Sequence, residues 1–159
     1  MQMFIASRRL LTAILLIVAF APVAGADNTP KTTVTSQSMK RLLLGRHHFS
    51  LQWVSWDRFG RVVITDRAGT LTIKGEQKSP DGADFVRIDG VVTRVDAKEF
   101  GFRGTITTQV SHINGGKPCV REGEFTFAIK ANRQYWRLQQ MDNPCEAVTD
   151  YVDVYFRRG

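Results

Sequence analysis

From Phe49 almost to the end of the chain, apolar and polar side chains alternate with a period of two. No connection between these stretches is long enough to hold a crossover helix of a dozen residues. The clearest stretch is 100–111, where Phe100, Phe102, Ile106 and Val110 fall on one face and Arg103, Thr105, Thr107, Gln109 and Ser111 on the other. Successive strand side chains point to opposite sides of a sheet, so this pattern describes strands with one buried and one wet face. Parallel neighbours need long crossovers, so short connections dictate antiparallel pairing.

The alternation predicts about eight strands, near 49–53, 61–65, 70–75, 83–95, 100–111, 118–131, 134–140 and 151–156. Turn residues separate several of them: Gly60 and Gly69 close two turns, Ser79-Pro80-Asp81-Gly82 makes another, and Asn114-Gly115-Gly116 marks a hairpin. Two irregularities stand out. Trp56 follows Trp53 by three, which breaks the phase and predicts a bulge with one of the two tryptophans at the rim. At Gly90 the pair Val86 and Ile88 gives way to Val91, Thr93 and Val95, which predicts a phase switch. A meander of this size closes into a barrel or folds over as a sandwich, because open edges invite aggregation. The expected fold is one all-β domain over 49–159, an up-and-down barrel of lipocalin-like shape, with a β-sandwich as the alternative.

The apolar fraction of 43% does not belong to that domain alone. Arg8 and Arg9 precede an apolar run from Leu10 to Ala21, and Ala24-Gly25-Ala26 supplies small residues for a peptidase. This is the pattern of a Sec-type signal peptide over 1–26, cleaved after Ala26. About 12 apolar residues fall short of the roughly 20 that span a bilayer. Ser7-Arg8-Arg9-Leu10-Leu11 resembles a twin-arginine signal, but the strongly apolar core favours the general route. The expected destination is the periplasm or the outside of the cell. Residues 27–48 then read as a polar, flexible arm with a short helix near 39–44. Without 1–26 the chain is about 37% apolar with 20 basic against 15 acidic residues, which suits a sheet with one wet face.

Cys119 and Cys145 are the two cysteines, and both lie beyond the leader. An even pair in an oxidising compartment reads as one disulfide, tying the start of the 118–131 strand to the loop before the last strand.

The chain has no G-x-S-x-G, P-loop, H-E-x-x-H, EF-hand or C-x-x-C motif. His47 and His48 are adjacent and on a strand would face opposite sides, so they cannot share a metal. His112 ends a strand. No metal or cofactor is expected. Glu122 and Glu124 read as solvated partners of Arg121 and of cross-strand Arg103 or Arg137, and Asp150 and Asp153 have no nucleophile or base beside them. An enzyme is not expected. Lys and Arg are dispersed and interleaved with acids, which argues against nucleic acid and for no more than weak affinity for anionic surfaces.

The stretches Phe100-Gly101-Phe102-Arg103-Gly104, Cys119-Val120-Arg121-Glu122-Gly123, Tyr135-Trp136-Arg137-Leu138-Gln139 and Asn143-Pro144-Cys145, with Asp150-Tyr151-Val152-Asp153, are similar to an uncharacterised group of small exported bacterial all-β proteins. The resemblance spans about 100–156 and implies no activity. Lipocalins are an analogy of shape only, since their G-x-W is absent and Leu51 and Gln52 precede Trp53. The expected function is an exported binding module holding a small apolar or amphipathic ligand in the barrel. Trp53, Trp56, Phe102, Phe125, Trp136 and Tyr151 are the candidate contacts. A protein-interaction or inhibitor domain of the cell envelope is the alternative, and an unrecognised hydrolase the weakest.

Overall fold

The structure is a computed structural model and describes residues 30–156. The leader read over 1–26 lies outside the described residues. A two-residue strand β1 (Thr33–Val34) and a helix α1 (Gln37–Leu43) come first. Eight strands follow: β2 (Gly45–Leu51), β3 (Gly60–Arg67), β4 (Thr70–Lys78), β5 (Phe85–Val95), β6 (Glu99–Gln109), β7 (Cys119–Ala128), β8 (Tyr135–Leu138) and β9 (Val152–Tyr155).

Each strand from β2 to β9 pairs antiparallel with the next, and β9 returns to β2 through Phe49–Val154 and Leu51–Val152. The meander closes, so the expected up-and-down barrel forms and the sandwich does not. Phe49, Val62, Ile64, Leu71, Ile73, Val86, Ile88, Phe100, Phe102, Ile106, Phe127, Trp136 and Val154 point inward and are buried. Each reading of alternation that placed them together therefore holds in the core. Cys119 and Cys145 are bridged, with Cα atoms 5.9 Å apart, and tie the first residue of β7 to the β8–β9 loop.

The structure differs from the sequence reading in three places. The stretch 27–48 was expected to be a flexible arm, yet from Thr32 it is built into the barrel wall. β4 stops pairing with β5 at Leu71–Val92, and β1 continues that side of β5 in parallel through Thr33–Arg94 and Val34–Val95. The buried Thr32 hydroxyl stitches the junction by donating to the Val92 carbonyl (2.7 Å) and accepting from the Leu71 N–H (2.8 Å). The helix starts where Ser36 caps it, its Oγ accepting from the Met39 N–H, and ends with Leu43 in the core. Strand β2 then begins at Gly45 rather than near 49.

The second difference is at Gly90. Val86, Ile88 and Val92 share the inner face straight through the glycine, and the register slips only between Val92 and Arg94. Gly90 pairs with Gly104, which pairs with Gly123, making a glycine row across β5, β6 and β7. A Cβ at Gly90 would stand 2.3 Å from the Arg103 carbonyl oxygen and 2.7 Å from the Phe102 ring. The glycine lets an aromatic ring lie against the backbone.

The third is the tryptophan irregularity. β2 ends at Leu51, and residues 52–59 form a loop instead of a bulge.

Candidate functional site

Two side-chain amides shape the 52–59 loop. Buried Gln77 of β4 accepts from the Leu51 N–H (2.7 Å) and donates to the carbonyls of Ser55 and Arg58 (3.2 and 2.7 Å). Gln52 donates to the Thr149 carbonyl (2.6 Å) and accepts from the Tyr151 N–H (2.7 Å). These bonds replace the ladder where β2 and β9 have parted, so the backbone groups stay satisfied in an irregular segment. The result is a cleft of about 440 Å³ walled by Gln52, Trp53, Trp56, Val148, Thr149 and Tyr151. Trp56 is 61% exposed on it.

A buried charge pair stands behind this cleft. Along β7 the inward set that contains Phe125 and Phe127 also contains Arg121, whose side chain is 6% exposed. Its Nη2 donates to Asp150 Oδ2 (3.1 Å) and its Nη1 to the Gln140 carbonyl (3.0 Å). Asn143 Nδ2 also donates to Asp150 Oδ2 (3.0 Å). Burial pushes the Asp150 carboxyl up and the Arg121 guanidinium down, each only partly offset by the other's charge. The Trp53 indole N–H also favours the Asp150 carboxylate without reaching it in hydrogen-bond geometry. The solvated group expected of Arg121 with Glu122 and Glu124 is thus half right. Arg103 forks Glu124 on the outside, whereas Arg121 turns into the barrel.

The outer face of β8, β9 and β2 carries a second charged group. Arg137 donates from Nε and Nη2 to the two oxygens of Asp153, both at 2.7 Å. Its guanidinium lies 4.1 Å from the Tyr151 ring centroid and 5.1 Å from that of Tyr135. Burial pushes the Asp153 carboxyl up against the pull of Arg137, and the Asp153 bond raises Arg137 in turn. Aromatic contacts continue from Tyr135 to Tyr155 (5.2 Å), from Tyr155 to Phe59 (5.0 Å), and from Phe59 to His48, stacked at 5.2 Å. That end opens into a second cleft of about 730 Å³.

Of the six candidate contacts, Trp53, Trp56 and Tyr151 come together at the smaller cleft. Phe102 and Trp136 have no exposed surface and belong to the core, and half-buried Phe125 stacks on Phe102 at 5.8 Å. His47 and His48 do face opposite sides. His47 is buried with its ring nitrogens at the Leu43 and Tyr155 carbonyls, and His48 is exposed.

The family model of the PM1083 family matches residues 31–156, the span from β1 to just past β9. The chain belongs to the PM1083 family. A PM1083-family relative, an uncharacterized protein of Pasteurella multocida (strain Pm70), is 44% identical over 132 residues, covering 81% of this chain and 85% of the relative. No solved structure matches. Function in this PM1083-family barrel therefore has to be read from its own clefts, because fold alone does not specify it.

Proposed function

We propose that the chain is an exported binding module that takes a small apolar or amphipathic ligand in the Trp53–Trp56–Tyr151 cleft, between the loop that follows β2 and the loop that precedes β9. The observation that carries this reading is Trp56, left 61% exposed in a cleft whose loop is held by two side-chain amides. A braced loop that presents an indole beside Trp53 and Tyr151 offers an apolar ligand a wall already in place. The cleft volume of about 440 Å³ is within the range of small-molecule sites. The export part of the reading rests on the leader pattern of Arg8 to Ala26.

Native mass spectrometry of protein recovered from its own cell envelope tests the first part, with a copurified small molecule as the expected result. Fluorescence titration with N-phenyl-1-naphthylamine, an uncharged apolar probe, tests the site. Trp56→Ala is expected to weaken that probe about tenfold or more while leaving the urea midpoint unchanged. Equal binding by wild type and Trp56→Ala would remove the cleft from consideration.

A second reading, an envelope interaction domain, is favoured by the make-up of the same face. Trp56, Tyr151, Tyr135 and Arg137 are the residue types that anchor protein interfaces. A photo-crosslinker at position 56 separates the two, since an interaction domain gives a stoichiometric protein adduct in envelope extract and a small-ligand module does not.

A further inference from the structure

The larger cleft has a different chemistry from the one above. Its cations come from the outward faces of β2 and β3, where His48 stands directly opposite Arg61 in the register and Arg46 lies two residues from His48 on the same face. Both guanidiniums are exposed, and neither has a hydrogen-bonded or ion-pair partner among the described residues. Among the described residues, no carboxylate lines the cleft. Of the acids close by in sequence or register, Glu76, opposite Arg61 on β4, is held by Arg87 and Lys78, and Asp153, two residues from Tyr155, is forked by Arg137, while Asp57, two residues from Phe59 in the 52–59 loop, is not part of the cleft lining. Beside the guanidiniums lies a flat apolar shelf. The His48 and Phe59 rings are stacked within 8° of parallel, and the Tyr155 ring meets Phe59 at 67°.

An exposed, unpaired arginine is ordinary. Two of them lining one cleft that no described carboxylate enters, beside a 42% exposed phenylalanine, are a matched set. Guanidinium groups hold phosphate and carboxylate through paired N–H donors, and an aromatic shelf holds a flat or apolar body next to that anion. We propose that the Arg46–His48–Arg61 cleft is a binding site for a phosphate-bearing ligand whose phosphate carries an apolar or planar substituent. Arg46 and Arg61 take the anion, and the His48–Phe59 shelf with Tyr155 takes the substituent. The site is independent of the Trp53–Trp56–Tyr151 cleft and does not require it to bind anything.

Isothermal titration with phenyl phosphate, inorganic phosphate and benzyl alcohol tests the assignment, with benzoate as the carboxylate control. Phenyl phosphate is expected to bind with one site per chain, inorganic phosphate more weakly, and benzyl alcohol not at all. Arg46→Gln and Arg61→Gln should each weaken phenyl phosphate about tenfold, and binding should fall as salt is raised. His48→Ala should narrow the gap between phenyl phosphate and inorganic phosphate, a change that loss of charge alone would not produce. Circular dichroism and the urea midpoint check that the variants are folded. Trp56→Ala should leave all of these affinities unchanged, so failure of the smaller cleft and failure of this site are separate results. Flotation with phosphatidylglycerol and phosphatidylcholine vesicles distinguishes the sources of the phosphate. Arginine-dependent flotation with phosphatidylglycerol would assign the phosphate to a lipid headgroup, and titration of phenyl phosphate alone would assign it to a free ligand. Absence of an arginine-dependent response to either probe, or benzoate binding as tightly as phenyl phosphate, would overturn the proposal.

Discussion

Removing Arg121 isolates what the buried pair does. In Arg121→Met the Asp150 carboxyl, 1% exposed, keeps Asn143 but loses the Arg121 guanidinium. Its pKa is already above the ordinary 3.8 because of burial, and the loss of the guanidinium moves it further up. A raised folded-state value means that the native state holds the proton more tightly than the unfolded chain does. Stability is then full below pH 3.8 and declines as pH rises through the native value. The wild type titrates in the same direction, so the pH-dependent deficit covers only the distance between the two native values; at about 1.4 kcal/mol per pH unit it stays below about 4 kcal/mol at pH 7. That agrees with the roughly 3–5 kcal/mol typical of breaking a buried pair from one side.

Urea unfolding of wild type and Arg121→Met at a series of pH values, with the disulfide intact, reads this directly. At pH 7 the midpoint should fall by at least about 1 M, given a slope of about 1–3 kcal/mol per M. The deficit should shrink toward acid. Adding Asp150→Leu to Arg121→Met should abolish the pH-dependent part of the deficit and recover most of the stability at pH 7, less about 1–3 kcal/mol for the stranded Asn143 N–H. A pH 7 loss under about 1 kcal/mol, or a loss that does not change with pH, would refute a desolvated, pair-dependent Asp150.

Two further outcomes follow from the covalent and backbone features. The protein should titrate with no free thiol before reduction, and replacing both Cys119 and Cys145 by Ala should cost about 3 kcal/mol in urea unfolding, since the bridge closes a loop of 26 residues. Gly90→Val should lower thermal stability by about 1–3 kcal/mol or more, because its Cβ meets the Arg103 carbonyl and the Phe102 ring, whereas Gly82→Ala, with open space around it, should lose only what its positive φ costs.

Local pattern and distant pairing account for different parts of this molecule. The barrel follows from residues next to one another: alternation sets each strand's inner face, and Pro80-Asp81-Gly82 or Asn114-Gly115-Gly116 sets the turns. The inward Arg121 carries a local signal too, because Phe125 and Phe127 fix the parity to which it belongs. Its partner does not. Asp150 reaches it from an irregular segment whose path depends on the Gln52 amide, 99 residues from the Tyr151 N–H that it accepts. The 52–59 loop is likewise settled by Gln77, which lies on another strand, so Trp53 and Trp56 look like a bulge to any reading of neighbours alone. The order of the arm has the same distant origin, since its anchor is the Thr32 hydroxyl between β4 and β5.

An eight-stranded barrel encloses a space about wide enough for its own side chains. Here Phe49, Phe100, Phe102, Phe127 and Trp136 occupy that space with no exposed surface, and Leu43 joins them from α1. A ligand inside would have to displace packed rings, at a cost of the size that core aromatics contribute. On the outer side the parity of β8 and β9 gathers Tyr135, Arg137, Asp153 and Tyr155 onto one face, between the two clefts. The Arg137–Asp153 fork fixes a guanidinium against Tyr151 of the smaller cleft and against Tyr135, which packs on Tyr155 of the larger one, so the tyrosines of both clefts are braced before anything binds. Side chains held in place beforehand lose less freedom on binding, which makes this outer face the part of the barrel where contact area converts most readily into affinity.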